Sequence, residues 1–300
     1  MVTLYLDNAS VEKVMFFYAD SSVEPSNEYI LFQAKNEGVA VSVYKKEKQG
    51  KHAVVFQGKE AEYEASLFGE VPSETPKAPI IEPKKKEHYF FKQQIGSDEV
   101  GTGDYFGPII VTAAYCDSEG FSLLQQLGVT DSKKMNDDYI RQIGPTLIER
   151  FDHSSFSLSP EHFNLRKEKG YNMNKLKAIM HNRALSKLSA RHPGITLCQD
   201  QFAEESLYYS YLREEMVVAR PILFSTKGES RFPSVALASV IARYHFLKRM
   251  DELSEELGEK VPFGAGSEVD AFAARLAERI GKENMGKYVK LSFANTKKWQ

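Results

Sequence analysis

Between residues 71 and 89 the chain reads VPSETPKAPIIEPKKKEHY, four prolines and a lysine run with no helical or strand period. No regular element is expected to cross it. The stretch therefore divides the sequence into residues 1–70, a linker at 71–89, and residues 90–300. With 300 residues, 42% of them hydrophobic, the chain is long enough to give each part its own core.

In the first part, residues 3–6 are strand-like. Asn8 or Ser10 is placed to cap a helix whose apolar positions Val11, Val14, Met15, Phe17 and Tyr18 recur at helical spacing. Three β-rich runs follow at 28–33, 39–44 and 51–56. Asn36-Glu37-Gly38 and the charged KKEKQGK separate them, a pattern that predicts an antiparallel meander. A short helix at 60–68 closes a small α+β unit. Past the linker, strands are expected at 90–95, 108–116 and 195–199. Helices are expected at 139–150, 174–191, 203–216 and 233–257, the last with Pro233 in its first turn. Ser267 and Asp270 resemble a capping box ahead of a further helix. Alternating strands and helices place residues 90–300 in the α/β class.

Composition removes several classes of function. No stretch approaches the roughly 20 apolar residues of a membrane span, and MVTLYLDNAS lacks the basic and apolar regions of an export signal, so the cytoplasm is the expected location. Cys116 and Cys198 are the only cysteines and stand far apart, which argues against a disulfide framework or a thiolate zinc site. Both read as buried apolar residues. The formal net charge of −2 gives no global signature of a nucleic-acid binder, and residues 1–70 carry 7 Lys/Arg against 11 Asp/Glu. Any such surface is local.

The chemistry gathers around acids. Asp98-Glu99 ends an apolar run and is followed by Val100-Gly101-Thr102-Gly103 and then Phe106-Gly107-Pro108. Neighbouring acids on an extended strand point to opposite faces, so for both to serve one site the chain must turn there, and the glycines permit it. Read alone, the segment is more readily a polar surface hairpin than a site. Asp200 ends the short strand ITLCQ, and Glu229 lies in TKGESRFPS before the helix at Pro233. Each is placed either as a ligand at a strand end or as a helix cap. His181 is placed as a structural or a catalytic group. Tyr208, Tyr209 and Tyr211 are placed as core or as stacking residues, and Trp299 as a packing residue at the end of the chain. No Ser–His–Asp set is assignable from spacing.

Together the motifs resemble a family. GSDEVGTGDYFGPIIVTAA is similar to the first motif of the type 2 ribonucleases H. DSKK at 131–134, DQF at 200–202 and KGESRFPSVALASVIAR at 227–243 are similar to its later motifs in the same order, and the likeness runs to the ending KLSFANTKKW. Within the family the chain is closer to the ribonuclease HIII branch. Thr102 stands between the glycines where ribonuclease HII carries arginine, the fourth acid is Glu229 rather than aspartate, and a linked front domain is present. VVFQGKEAEYEA at 54–65 resembles the TBP-like domain of that branch.

The resemblance implies an RNase H-like mixed sheet flanked by helices, joined to a small TBP-like α+β nucleic-acid-binding domain. It implies that Asp98, Glu99, Asp200 and Glu229 are catalytic ligands of Mg²⁺ or Mn²⁺, hard cations that prefer oxygen donors. Gly101, Thr102 and Gly103 would meet the 2′-hydroxyl, and Lys133 and Lys134 the phosphates, of an RNA–DNA hybrid duplex. Hydrolysis of the RNA strand would leave 5′-phosphate and 3′-hydroxyl ends. The rival readings are incision at single ribonucleotides embedded in DNA and a catalytically silent hybrid-binding protein. No obligatory protein partner is expected.

Overall fold

A computed structural model gives the protein's structure and describes residues 1–36, 38–69, 93–129 and 135–300. The described chain divides into two compact units, with one five-stranded sheet in each.

The N-terminal unit runs β1 (Val2–Leu6), α1 (Asn8–Phe17), β2 (Ser22–Val23), β3 (Ile30–Asn36), β4 (Val39–Lys48), β5 (Lys51–Gln57) and α2 (Ala61–Ser66). Its strands are antiparallel in the order β1-β5-β4-β3-β2, so the expected meander is present and β1 returns to pair with its last strand. Alternation sets the faces. Val39, Val41, Val43, Val54 and Phe56 are buried with Val11, Val14 and Tyr18, whereas Tyr5 and Leu31 are exposed. The helix cap is Asp7, whose Oδ1 accepts the Ser10 N–H at 2.8 Å, and neither Asn8 nor Ser10. Asn8 Oδ1 lies 3.0 Å from the His52 ring instead. The charged turn narrows to Gln49-Gly50, both at positive φ (55° and 74°), the backbone that a two-residue hairpin requires.

The second unit contains β6 (Gln94–Val100), β7 (Ile109–Cys116), α3 (Ser118–Gln126), α4 (Asp137–Arg150), β8 (His153–Leu158), α5 (Pro160–Glu168), α6 (Met173–Arg191), β9 (Thr196–Asp200), α7 (Glu205–Tyr211), β10 (Ile222–Ser225), α8 (Pro233–Leu257) and α9 (Ser267–Ile280). The strand order is β10-β9-β6-β7-β8. β10, β9 and β6 are parallel, and β7 and β8 antiparallel. This is the expected mixed sheet between helices. On one side α6 packs through Leu176, Ala184 and Leu188 against Ile95, Val111 and Phe156. On the other, Leu237 and Ile241 of α8 pack with Ala114, Cys116 and residues of α3 and α4.

Several local expectations need correction. The strand placed at 90–95 begins at Gln94 and continues through both acids to Val100, with residues 90–92 outside the described set. Hydrophobic pattern misses it because small and polar residues, Gly96 and Ser97, occupy the centre of a strand covered on both faces. Strands β8 and β10 and helices α3 and α5 were not anticipated, and α7 occupies only part of 203–216. The capping box at Ser267 does not form. Gly266 is the N-cap, and Asp270 bonds Asn295 and Lys298. The expected linker lies outside the described residues.

Gly96 sets the distance between sheet and helix. A Cβ there would stand 2.3 Å from Val235 N and 2.4 Å from Ser234 C, backbone atoms of the first turn of α8. Beside it, Gln94 Oε1 accepts from Ser234 N and Oγ, at 3.2 and 2.7 Å. Gly96→Ala is expected to lower folding stability by about 1–3 kcal/mol, since backbone cannot yield as a side chain would. An unchanged denaturation midpoint would contradict this packing.

Candidate active site

Because β6 and β9 are parallel neighbours with Ser97 opposite Gln199, Asp98 and Asp200 each stand one residue further on and leave the sheet on the same side. That is the side on which Gly96 meets α8. Carboxyl ends of adjacent parallel strands are where an open α/β sheet presents ligands. Asp98 is buried, its Oδ1 accepts the Glu99 N–H at 2.7 Å, and Ser239 of α8 donates to it. Burial, reinforced by the charges of Glu99 and then Asp200, pushes the Asp98 carboxyl well above the usual range.

Glu99 departs from expectation. The chain does not turn between the two acids: β6 stays extended through Val100, and Glu99 projects toward α6 on the opposite face. There Lys177 Nζ pairs with its Oε1, and His181 Nε2 donates to its Oε2 at 2.8 Å. The other His181 nitrogen lies 2.9 Å from Ser97 Oγ, and the Lys177 ammonium sits 3.9 Å from the centre of the Phe202 ring. Burial works to raise the Glu99 carboxyl, but His181 and Lys177 overcome it and hold the group below its ordinary value. His181 is wholly buried and orients this carboxylate. Lys177 was missed in the sequence. The available signal was a lysine four residues before a histidine on the buried face of one helix.

Asp200 and Glu229 do not sit at the N-cap positions of the helices that follow them, which are Glu204 for α7 and Phe232 for α8. Asp200 Oδ1 instead accepts the Gly228 N–H at 2.7 Å. Lys227, at φ 57° and ψ 47°, adopts the left-handed conformation just before that donor, unusual for a side chain of its kind. Glu229 is the next residue after Gly228 and is buried. Thus Asp98, Glu99 and Asp200 are close enough for each charge to act on Asp98, and a direct hydrogen bond joins Asp200 to the turn carrying Glu229. Among the described residues, no three His, Cys, Asp or Glu side chains form a ready-made metal cage.

The glycines after β6 have different physical reasons. Gly101, at φ +92°, has Pro108 O only 2.1 Å from where a Cβ would be, so the fold itself demands glycine. At Gly103 no heavy atom lies within 4 Å of that point, and its φ is outside the left-handed range. Neither packing nor a left-handed backbone requires glycine at this exposed position. Thr102 between them is partly exposed. Lys133 and Lys134, with Asp131, lie outside the described residues. Tyr208 belongs to the core, Trp299 is buried, and burial pushes the Cys116 and Cys198 thiols up to about 12, leaving them unreactive.

Residues 95–296 match the family model described as Ribonuclease HII, and residues 2–79 match a Domain of unknown function (DUF3378). The chain is 42% identical over 280 residues to a Ribonuclease HIII of Bacillus mycoides, covering 89% of this chain and 87% of that one. The chain belongs to the type 2 ribonuclease H family, in its ribonuclease HIII branch. A Ribonuclease HIII of Listeria monocytogenes serotype 4b is 40% identical over 302 residues, covering 98% and 96% of the two chains. The crystal structure of Bst-RNase HIII in complex with Mn²⁺ superposes with a TM-score of 0.68 at 36% identity, covering 99% of this chain and 97% of that one. The ribonuclease HIII likeness thus spans both units. No helix among the described residues is long and apolar enough to cross a membrane.

Proposed function

We propose that this protein is an endoribonuclease that hydrolyses the RNA strand of RNA–DNA hybrids, using divalent cations held by Asp98, Asp200 and Glu229, with Glu99 contributing from the α6 face of the strand end, where its charge still acts on Asp98. The observation that carries the reading is the crowding at the ends of β6 and β9. A carboxyl that burial and two neighbouring acids push upward is relieved when a cation enters among them. The donors are hard oxygens, which suit Mg²⁺ or Mn²⁺, and the Bst relative was solved with Mn²⁺. When bound, such cations activate water and neutralise charge on the phosphate.

The chain's own residues supply the rest. Lys177 and His181 hold Glu99 ionised and oriented, the Gly228 N–H fixes the rotamer of Asp200, and Gly103 admits a ribose to the backbone. Hydrolysis leaves a 5′-phosphate and a 3′-hydroxyl. A labelled hybrid tests the reading: cleavage is expected with Mg²⁺ or Mn²⁺ and is abolished by EDTA. Turnover unaffected by EDTA would overturn the metal mechanism, and binding without turnover would favour the silent hybrid-binding alternative.

The N-terminal unit contributes none of the four acids and serves as a second grip on the duplex. Its open sheet face carries Tyr5, 62% exposed, and Tyr44, whose rings can stack, with Gln33 and Ser42 as hydrogen-bonding groups and Leu31 as an apolar neighbour. Because linked weak binding raises local concentration without altering chemistry, deletion of residues 1–79 is expected to raise the hybrid KM by up to about 10²-fold at a comparable kcat. Steady-state kinetics with an unchanged KM would assign this unit another role.

A further inference from the structure

The ammonium of Lys290 is wholly buried and donates to two main-chain carbonyls, Asp104 O at 2.7 Å and Gly107 O at 2.6 Å, which flank the neck of loop 101–107. A buried lysine without a carboxylate bonded to its Nζ is costly, and burial pushes this one down to about 7. Its position therefore calls for an explanation. The same segment grips the loop through the backbone. Lys290 N–H donates to Tyr105 O at 3.0 Å, Gly107 N–H donates to Tyr288 O at 3.2 Å, and Val289 bridges to Phe106. Gly264 holds the opposite side, its N–H donating to Asp104 Oδ1 and its carbonyl accepting from Tyr105 N. Further out, Tyr105 Oη is held by Thr296 and by the Trp299 indole N–H, at 2.9 and 2.8 Å.

We infer that Lys290 is a positioning residue for substrate selection, fixing the loop neck so that Thr102 and Gly103 present a preset backbone to the ribose. The mechanical route is short. Gly107 O, bonded to Nζ, precedes Pro108, and Pro108 O is the atom on which Gly101 packs. A displaced neck thus displaces the glycine that starts the loop. Lys290 does not hydrogen-bond to any of the four acids, so its effect falls on substrate alignment. The inference rests on reading 101–103 as the ribose-facing loop.

The test uses full-length Lys290→Met, which keeps the aliphatic length and removes the donors. Amide hydrogen exchange over residues 101–107 is expected to accelerate, and the hybrid KM to rise about tenfold while kcat stays within roughly twofold, the pattern of lost substrate alignment. Unchanged exchange, faster exchange with unchanged KM, or a fall in kcat alone would each overturn the inference. Should Lys290→Met fail to fold, Trp299→Phe removes the indole N–H, together with part of the buried ring, at the far end of the tether. It is then expected to shift exchange and KM in the same direction by less, and no shift in either overturns the inference. Gly103→Ala separates the underlying reading. If it leaves the hybrid KM unchanged, the loop does not face ribose, whereas the exchange measurement still judges the tether.

Discussion

Asp98→Asn is expected to abolish hybrid cleavage, by about 10³-fold or more, while raising the melting temperature of the metal-free protein. The loss follows because a cation's stabilisation of the reacting phosphate is worth several kcal/mol, and each 1.4 kcal/mol is roughly tenfold in rate. The gain follows from the same carboxyl seen from the folding side. Burial and neighbouring acids raise its pKa in the native state above the unfolded value of 3.8. Its folding contribution is therefore most favourable below that value and is lost as pH rises through the native pKa. At neutral pH the wild type bears that cost and the amide does not. Adding Mn²⁺ should stabilise the wild type more than the variant, because only native protein with its ligands gains from the metal. Thermal melts at neutral pH with and without Mn²⁺, alongside cleavage rates, check each part. A variant that is inactive but less stable would mean that Asp98 is held by bonds the amide cannot replace. A variant with wild-type turnover would remove Asp98 from the centre.

The second large effect is substrate choice. In Mg²⁺, kcat/KM on a uniform hybrid is expected to exceed that on one ribonucleotide embedded in DNA by roughly 10²-fold, equivalent to two lost contacts of about 1.4 kcal/mol each in the transition state. Thr102 lacks the reach of an arginine at this place, and Gly103 has only backbone to offer, so under the proposed reading recognition is expected to spread over several riboses. Equal values, or preference for the single ribonucleotide, would move the assignment to ribonuclease HII-like repair.

The α/β class of residues 90–300, the separate α+β unit and the bounds of α8 were readable from periodicity and turn chemistry, and the mixed sheet from the family resemblance. What periodicity missed lies where packing overrides local pattern. Strand β6 contains Gly96, Ser97, Asp98 and Glu99, a run that is polar by composition and becomes a strand because β7 and β9 pair with it on both edges. The same blind spot concealed Lys177. A lysine in a helix is ordinarily solvated, and only the arrival of Glu99 on that face makes it a partner. The N-terminal cap was misplaced, by one residue for Asn8 and by three for Ser10, because Asp7, Asn8 and Ser10 are all competent caps, and the final choice belongs to the hydrogen bond with the Ser10 N–H.

Asp98 and Glu99 sit in the middle strand of five, hydrogen-bonded on both edges and covered by a helix on either side. A slip of β6 by one residue would exchange the two carboxylates between layers, so this part of the centre is assembled only when the whole sheet is in register. Such a strand opens only with global unfolding. Heat inactivation should therefore coincide with the cooperative melt of the catalytic unit, and no partially unfolded yet folded-looking state should retain half the activity.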